Sequence, residues 1–349
     1  IVNFKNLEAT KRTEVLSDNA QWFEDNSPVD ARFKKKECKG VTAKVITTAI
    51  LAGDCYPATP IGINLPNANW IRETYGSKSV TIENITYAYD QAAKGNGFKE
   101  EFVDCDADRE MIEKYGYITD NIHTDLHECL GHGSGQLLPG VSQDALKAYG
   151  ATVEEARADL FGLYYSADPK MVELGLLPTE DAYKAEYYTY LMNGLMTQLV
   201  RINLGDQIEE AHMRNRALIA HWVYEKGAAD KVVELEKRDG KTYVRINDYK
   251  KLRTLFGDLL AEIQRIKSEG DFEAARKLVE NYGVNIDPEL HKEVKERYAK
   301  LNISPYKGFI NPTYQLVEKD GKVVDVKVDY KEGYAEQMLR YSKMNNNVE

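Results

Sequence analysis

The chain has 349 residues, which is long enough to bury a large core. Its formal net charge of −10 at neutral pH disfavours binding to nucleic acid or to an anionic membrane surface. No apolar run approaches the roughly 20 residues that span a bilayer. The four cysteines show no C-x-x-C spacing and are too sparse for a disulfide scaffold, which favours a reducing, cytoplasmic compartment.

The distribution of apolar residues, prolines and glycines predicts a mainly α-helical fold with minor β structure. Alternating residues flank Asp239-Gly240 and Asp320-Gly321, which predicts two small β-hairpins at residues 231–246 and 313–329. Residues 56–69 contain several prolines and are expected to be extended or in turns. Helices are expected at residues 4–24, 29–50, 82–94, 106–115, 119–131, 152–165, 180–203, 206–227, 248–267, 271–281, 287–300 and 331–343.

Residues 127–132 read His-Glu-Cys-Leu-Gly-His. This hexapeptide resembles the H-E-x-x-H signature of zinc hydrolases, with one extra residue between the histidines. In a regular α-helix His127 and His132 would point about 140° apart, so both reach one metal ion only if the helix carries a local bulge. Single-turn π-bulges are frequent at functional sites, and Gly131 tolerates such a distortion.

The lengthened motif resembles the dipeptidyl peptidase III family of zinc exopeptidases, in which H-E-x-x-G-H is followed by E-E-x-R-A-[ED]. The chain carries this second motif as Glu154-Glu155-Ala156-Arg157-Ala158-Asp159. Two further family motifs occur in the family's order, as Gly62-Ile63-Asn64-Leu65-Pro66-Asn67 upstream and Ala211-His212-Met213 downstream. The resemblance implies a multi-helical zinc metallopeptidase catalytic lobe that is the C-terminal portion of a longer, two-lobed enzyme.

The resemblance implies one Zn²⁺ per chain, bound by His127, His132 and Glu155. A catalytic zinc takes three protein ligands and keeps one position open for water. A separate helix that begins some twenty residues after the histidines is a usual source of the third ligand. Without the family motif, Glu155 would be interpreted as an acid that the helix dipole favours.

Glu128 has the position of a general base. Beside a ligand, it could take a proton from the zinc-bound water as that water attacks a peptide carbonyl. The alternative is an exposed helical glutamate. In the family, a Tyr of the N-terminal lobe also stabilises the transition state, and that residue would lie upstream of Ile1.

Glu154 and Asp159 are expected to accept hydrogen bonds from the free ring nitrogens of the two histidines. The family usually has Glu at the last motif position, so the shorter Asp159 predicts a looser contact, or one bridged by water. Ordinary surface salt bridges are the alternative for both residues.

His212 matches a family histidine that contacts the substrate and the transition-state oxygen, and Arg216 matches a basic residue of the same helix. From the sequence alone, a histidine beside Glu209 and Glu210 is also typical of a salt-bridged surface residue.

Asn64 and Asn67 match the family pair that anchors the N-terminal end of a peptide, and Arg72 matches another substrate-binding position. Amide groups can hold an α-ammonium or a backbone carbonyl in a fixed geometry, and the segment before Asn64 could pair with substrate as an added strand. Turn formation beside proline is the alternative. No arginine stands at Tyr306-Lys307-Gly308, where the family has one near the substrate.

Other histidines and a cysteine offer competing interpretations. His123 lies four residues before His127 and could form an ordinary i, i+4 ligand pair with it, which would discard His132. His221 and His291 have no partner pattern and are expected to be interfacial or exposed. Cys129 belongs to an apolar stripe and is expected to be a buried thiol.

The whole chain, residues 1–349, is therefore interpreted as a catalytic portion, with a helical zinc core at 1–230 and helices and hairpins packed on it at 231–349. Its expected partners are short peptide substrates and the missing N-terminal lobe. The expected function is a zinc-dependent exopeptidase that releases N-terminal dipeptides. The alternatives are a zinc endopeptidase, a monoaminopeptidase, or a non-catalytic zinc-stabilised peptide-binding module.

Overall fold

The computed structural model of the chain describes residues 1–38, 42–52, 60–65, 71, 78–303 and 309–345. The fold is mainly α with minor β, as predicted from the sequence. The α-helices are α1 (Leu7–Asp18), α2 (Ala20–Asp25), α3 (Glu83–Ala93), α4 (Phe98–Phe102), α5 (Asp106–Leu126), α6 (Gly150–Ser166), α7 (Lys170–Glu173), α8 (Tyr183–Leu195), α9 (Ala211–Lys226), α10 (Tyr249–Glu269), α11 (Phe272–Tyr282), α12 (Pro288–Lys300) and α13 (Tyr334–Asn345). A π-helical segment, His127–Gly131, follows α5 directly.

Within the described ranges the strands form one four-stranded sheet and two hairpins. They are β1 (Val2–Lys5), β2 (Thr42–Ile50), β3 (Gly62–Leu65), β4 (Lys78–Ile82), β5 (Val233–Arg238), β6 (Lys241–Ile246), β7 (Thr313–Lys319) and β8 (Lys322–Asp329). The sheet has the order β1-β2-β4-β3, with β2 and β4 parallel and the other neighbours antiparallel. The two predicted hairpins are confirmed as β5–β6 and β7–β8. Asp239-Gly240 and Asp320-Gly321 all have positive φ, as a two-residue type I′ turn requires.

The expected helix at residues 29–50 is wrong, because residues 42–50 form β2. This segment contains β-branched Val45, Ile46 and Ile50, which favour a strand, and it pairs with β1 on one side and β4 on the other. The expected helix at 4–24 also begins too early. The chain is a strand to Lys5, and Asn6 then caps α1 by accepting a hydrogen bond from the backbone of Ala9.

The main hydrophobic core surrounds α6, which is buried along almost its whole length. This helix packs against α5, α9 and α10. The core combines residues from Leu16 to Val294, so it includes side chains from both sides of the predicted division at residue 230, and that division stays a prediction. A second, smaller cluster contains Leu51, Ile82, Ile85 and Phe309.

Helix ends in this core follow local sequence signals. Asp248 caps α10 by accepting from the backbone of Lys251, and Gly270 ends the helix at a φ of 67°. Glu210 caps α9 by accepting from the backbone N–H groups of His212 and Met213. None of the helices in the described ranges is long and apolar enough to cross a bilayer.

Candidate metal centre

The histidines of the first motif lie at the end of α5, where the helix widens. The backbone N–H of His132 donates to the carbonyl of His127 over 3.0 Å, a bond across five residues that defines the π-turn. This wider turn brings both rings to one side, with their centroids 4.7 Å apart. The bulge predicted from the spacing of the histidines is thereby confirmed.

Gly131 allows the π-turn to lie directly against α6. A Cβ atom at this glycine would be 2.9 Å from both the Cα and the carbonyl oxygen of Ala158. Gly131 is therefore required by the close approach of two backbones, in addition to any conformational freedom it supplies. The contact places the two histidines opposite the acidic residues of the second motif.

Glu155 projects from α6 toward both rings. Its Oε2 atom lies 3.2 Å from Nε2 of His127 and 3.9 Å from Nε2 of His132. The three residues offer ligand atoms that all lie within 4.8 Å of one another. Oε2 of Glu155 is buried and has no hydrogen-bond partner among the residues that the structure describes. Two imidazoles and an unsatisfied carboxylate oxygen fit a divalent metal ion such as zinc.

The other ring nitrogen of each histidine is fixed by a carboxylate. Nδ1 of His127 donates to Oδ1 of Asp159 over 2.7 Å, and Nδ1 of His132 donates to Oε1 of Glu154 over 2.8 Å. The expectation of a looser or water-bridged contact at Asp159 is wrong, because the hydrogen bond is direct. The tight packing of Gly131 on Ala158 brings the shorter side chain within reach. Such bonds orient Nε2 toward a metal.

His127 and the acids of this centre stabilise one another's charged forms. Burial raises the pKa of Glu154, but the charges of Arg157 and Lys267 outweigh it and hold that pKa well below its usual range. Burial likewise opposes the proton on His127, yet Asp159 and Glu155 raise its pKa well above the ordinary value. In the metal-free centre the proton on His127 therefore contributes to holding these side chains together, and a bound cation would displace it.

Glu128 lies between the π-turn and the four-stranded sheet. A Cβ atom on Gly62 of β3 would lie 2.5 Å from Oε1 of Glu128, so the strand passes directly over this side chain. Oε2 is buried without a hydrogen-bond partner in the part of the chain that is described. The backbone carbonyl of Glu128 accepts from Oγ of Ser79 over 2.8 Å. Neither Gly62 nor Ser79 is predicted as a site residue from the sequence, although Gly62 opens one of the family motifs.

The start of α9 lies near the same centre. Nε2 of His212 is 3.5 Å from Oε2 of Glu155, and its Nδ1 lies 2.6 Å from Oε1 of Glu210. More than half of the His212 side chain is exposed, so it remains accessible to a ligand. Arg216 lies one turn further along α9 and is half-buried.

The predicted substrate-binding residues fall largely outside the described structure. Asn64 belongs to β3, where its backbone pairs with Ser79, and its side chain is not described. Asn67, Arg72 and the segment Tyr306-Lys307-Gly308 lie outside the described residues.

The remaining histidines have other partners. His123 is buried, with Nδ1 2.6 Å from Oε1 of Glu186 and Nε2 3.6 Å from Oδ1 of Asp159. His123, His127 and Asp159 also bring ligand atoms within 4.8 Å of one another. In this group, however, Asp159 accepts a hydrogen bond from Nδ1 of His127, which leaves the Nε2 atom facing Glu155 as the nitrogen free for a metal. His291, expected to be interfacial or exposed, is buried between two segments, and its Nε2 donates to the carbonyls of Leu199 and Ile202. Nδ1 of His221 contacts the carbonyl of Tyr282. Cys129 is buried, as predicted.

Three proteins are similar to this chain in sequence. Nudix hydrolase 3 of Arabidopsis thaliana is 26% identical over 324 residues, which are 91% of this chain and 38% of that protein. Dipeptidyl peptidase 3 of Dictyostelium discoideum is 25% identical over 333 residues, 80% of this chain and 45% of that protein. Dipeptidyl peptidase 3 of Mus musculus is 26% identical over 307 residues, 74% of this chain and 41% of that protein.

Two solved structures share the fold. DPP III from Caldithrix abyssi aligns with a TM-score of 0.69 and 24% identity, covering 86% of this chain and 54% of that one. Dipeptidyl-peptidase III from Corallococcus sp. strain EGB aligns with a TM-score of 0.69 and 22% identity, covering 87% and 54%. The chain thus spans about half the length of these proteins, or less. It matches the sequence profile of Peptidase family M49 over residues 1–147 and 141–339, and it belongs to that family.

Proposed function

We propose that this chain supplies the metal centre of a zinc peptidase that releases dipeptides from the free N-termini of short peptides. The observation that carries the proposal is the convergence of His127, His132 and Glu155, with the unsatisfied Oε2 of Glu155 between the two rings. Glu128 lies beside these ligands with a second buried, unsatisfied oxygen. A site that only stabilised the fold would have no use for such a base.

The chemistry follows from the placement of these groups. A zinc ion, when bound, polarises a peptide carbonyl and lowers the pKa of water. Glu128 takes the proton from the attacking water and returns it to the leaving amine. Asp159 and Glu154 keep the two imidazoles oriented through their Nδ1 atoms. His212, exposed at the start of α9, is proposed to donate to the oxygen on which negative charge develops.

The substrate is proposed to lie along β3. This strand pairs with β4 and is the edge of the sheet as far as the described residues go, so an extended peptide can add to it through backbone hydrogen bonds. Because Gly62 of β3 covers Glu128, a peptide on this edge passes the base. Asn64, Asn67 and Arg72, together with Arg216 of α9, are the proposed contacts that fix the N-terminal end of the peptide.

Further sequence is proposed to complete the cleft, because this chain covers only 38% and 45% of two related proteins and 54% of a solved structure with the same fold. The hairpin β7–β8 leaves several large apolar side chains exposed, which is typical of a surface that another segment covers. These are Leu316, Val323, Val324, Val326 and Val328. We therefore expect weak turnover from this chain alone and stronger turnover when the remaining length of its relatives is supplied.

Metal analysis combined with peptide hydrolysis tests the proposal. We expect one zinc ion per chain and release of a chromogenic amine from a dipeptidyl amide. Glu128→Gln should abolish hydrolysis and leave the zinc content unchanged. Release of single residues, or cleavage within a longer peptide, would replace the dipeptidyl assignment with one of the other peptidase types. A chain that binds zinc but never hydrolyses any peptide, even with the remaining length supplied, would be a binding module.

A further inference from the structure

We propose that Tyr190 and Asn215 are positioning residues that hold Asp159 against His127 and thereby set the affinity of the centre for its metal. The inference rests on the metal site proposed above and concerns groups that do not touch the metal themselves. Nothing in the sequence motifs marks either residue, because a tyrosine and an asparagine within helices resemble ordinary core and surface positions.

The Asp159 carboxylate, on α6, accepts hydrogen bonds from side chains at the end of α5, on α8 and on α9. Its Oδ1 atom accepts from Nδ1 of His127, at the end of α5. Its Oδ2 atom accepts two hydrogen bonds, from the hydroxyl of Tyr190 on α8 over 2.7 Å and from Nδ2 of Asn215 on α9 over 2.9 Å. Both donors are buried, with Tyr190 6% and Asn215 1% exposed. The carboxylate of α6 is thus fixed at both oxygens.

The two carboxylates that orient the histidines are held in different ways. Glu154 is bound by cations, because Arg157 donates to both of its oxygens and the ammonium of Lys267 contacts Oε2. The donors to Oδ2 of Asp159 are neutral. The imidazole of His123 also lies 3.6 Å from Oδ1. Burial opposes its proton, but Glu186 and Asp159 raise the His123 pKa, so this ring presents a positive charge to Oδ1. Among the described residues Tyr190 and Asn215 are the donors to Oδ2, so the position of that second oxygen depends on these two side chains.

Asn215 also connects the metal centre to the helix that carries His212, a proposed substrate contact. It lies three residues after His212 on α9, and His212 approaches Glu155 from the start of that helix. The bond from Asn215 to Asp159 therefore fixes α9 relative to α6. Loss of this bond removes one of the two donors to Oδ2 of Asp159 and a direct link between α6 and the helix that carries His212.

The affinity of single variants for zinc tests this role without measuring catalysis. Tyr190→Phe removes only the hydroxyl, and Asn215→Leu removes the amide. We expect each to weaken zinc binding, measured by competition with a chromogenic chelator, by about tenfold, the lower end of the range for groups behind a metal ligand. With Co²⁺ in place of zinc, the visible absorption bands should shift or broaden, because His127 is less firmly oriented.

Tyr187→Phe is the matched control. Tyr187 lies on the same helix, is fully buried, and donates its hydroxyl to the backbone carbonyl of Leu163 over 2.8 Å rather than to the Asp159 carboxylate. The Tyr187→Phe variant should lose as much folding stability as Tyr190→Phe does, and it should keep its zinc affinity. In an Asp159→Ala background, Tyr190→Phe should have no further effect on affinity, since it acts through Asp159.

The outcomes separate this inference from the proposed function. Equal loss of affinity in Tyr187→Phe and Tyr190→Phe, or an undiminished effect of Tyr190→Phe without Asp159, would overturn the positioning role. Unchanged affinity in both Tyr190→Phe and Asn215→Leu would do the same. If the unaltered chain bound no zinc, the proposed metal site would be refuted, and the positioning role of Tyr190 and Asn215 would be refuted with it.

Discussion

Gly62, on β3, lies against the side chain of Glu128, on the π-helical segment far away in the sequence. A Cβ atom on Gly62 would lie only 2.5 Å from Oε1 of Glu128. The next atoms that it would meet, at 3.0 and 3.2 Å, belong to the same side chain. Because the obstacle is the end of a flexible side chain, an added methyl group would displace Glu128 rather than break the fold. The glycine therefore preserves the position of the proposed base.

Gly62→Ala should impair catalysis while leaving the metal in place. A misplacement of about 1 Å at a reacting group can cost about 100-fold in rate, so we expect a loss of that order in kcat with unchanged zinc content. Steady-state kinetics on a dipeptidyl amide and metal analysis check this expectation. Normal kcat in the alanine variant would show that Glu128 does not need this position.

Gly131→Ala should act on the metal centre itself. The new methyl group would meet backbone atoms of Ala158 at 2.9 Å, which cannot move without separating the π-turn from α6. We expect a loss of about 1–3 kcal/mol in the free energy of unfolding, as for other overpacked sites, together with weaker zinc binding. Chemical denaturation of the metal-free chain and chelator competition measure the two effects.

Gly116→Ala is the control for that substitution. Gly116 also lies on α5, but its Cβ would meet only Cγ2 of Ile112, at an ordinary 3.5 Å. Alanine there should raise stability by up to about 1 kcal/mol through helix propensity and leave zinc binding unchanged. If both glycines tolerated alanine equally well, the close approach of the π-turn to α6 would have no importance for the site.

The metal motif shows how much of the site the sequence predicts. The five-residue spacing of His127 and His132 required a distorted helix, and the π-turn supplies that distortion. The motif around Glu155 also indicated an acidic helix opposite the histidines, and α6 places it there. The spacing of the histidines is a local feature that helix geometry alone interprets, whereas Glu155 was predicted as a ligand only through the resemblance of its motif to that of the family.

Relationships between distant segments were not predictable in the same way. The strand β2 was mistaken for a helix because its neighbours, β1 and β4, are known only once the chain has folded. The contact of Gly62 with Glu128 depends on that same sheet. The bonds from Tyr190 and Asn215 to Asp159 join three helices, and no periodicity within one helix reveals them.

His212→Ala should separate substrate turnover from metal binding. The His212 side chain is more than half exposed and lies 3.5 Å from Glu155 through Nε2, so it is accessible to a substrate bound at the centre. Loss of one donor to a developing oxyanion costs about 100- to 1000-fold in kcat. We expect a loss in this range with zinc affinity within about twofold of the unaltered chain. A large fall in zinc affinity would instead identify His212 as a ligand.

Zinc binding should weaken as the pH falls, because protons compete with the metal for His127. In the metal-free chain burial lowers the pKa of this histidine, but Asp159 and Glu155 outweigh burial and raise it well above the usual value of about 6.5. The proton on His127 thus stabilises the metal-free fold below pH 6.5, and this contribution is lost as the pH rises through the raised pKa.

The metal requires the neutral ring, so each zinc ion bound near neutral pH should release about one proton from His127. The pKa values of Glu155 and Asp159 are lowered despite the opposing effect of burial, so both acids stay ionised and add no protons to the count. Calorimetric titration with zinc in buffers of different ionisation enthalpy measures the number released. We expect affinity to rise between pH 6 and pH 8. Proton release near zero, with affinity independent of pH over this range, would mean that His127 is already neutral and that the carboxylates beside it do not hold its proton.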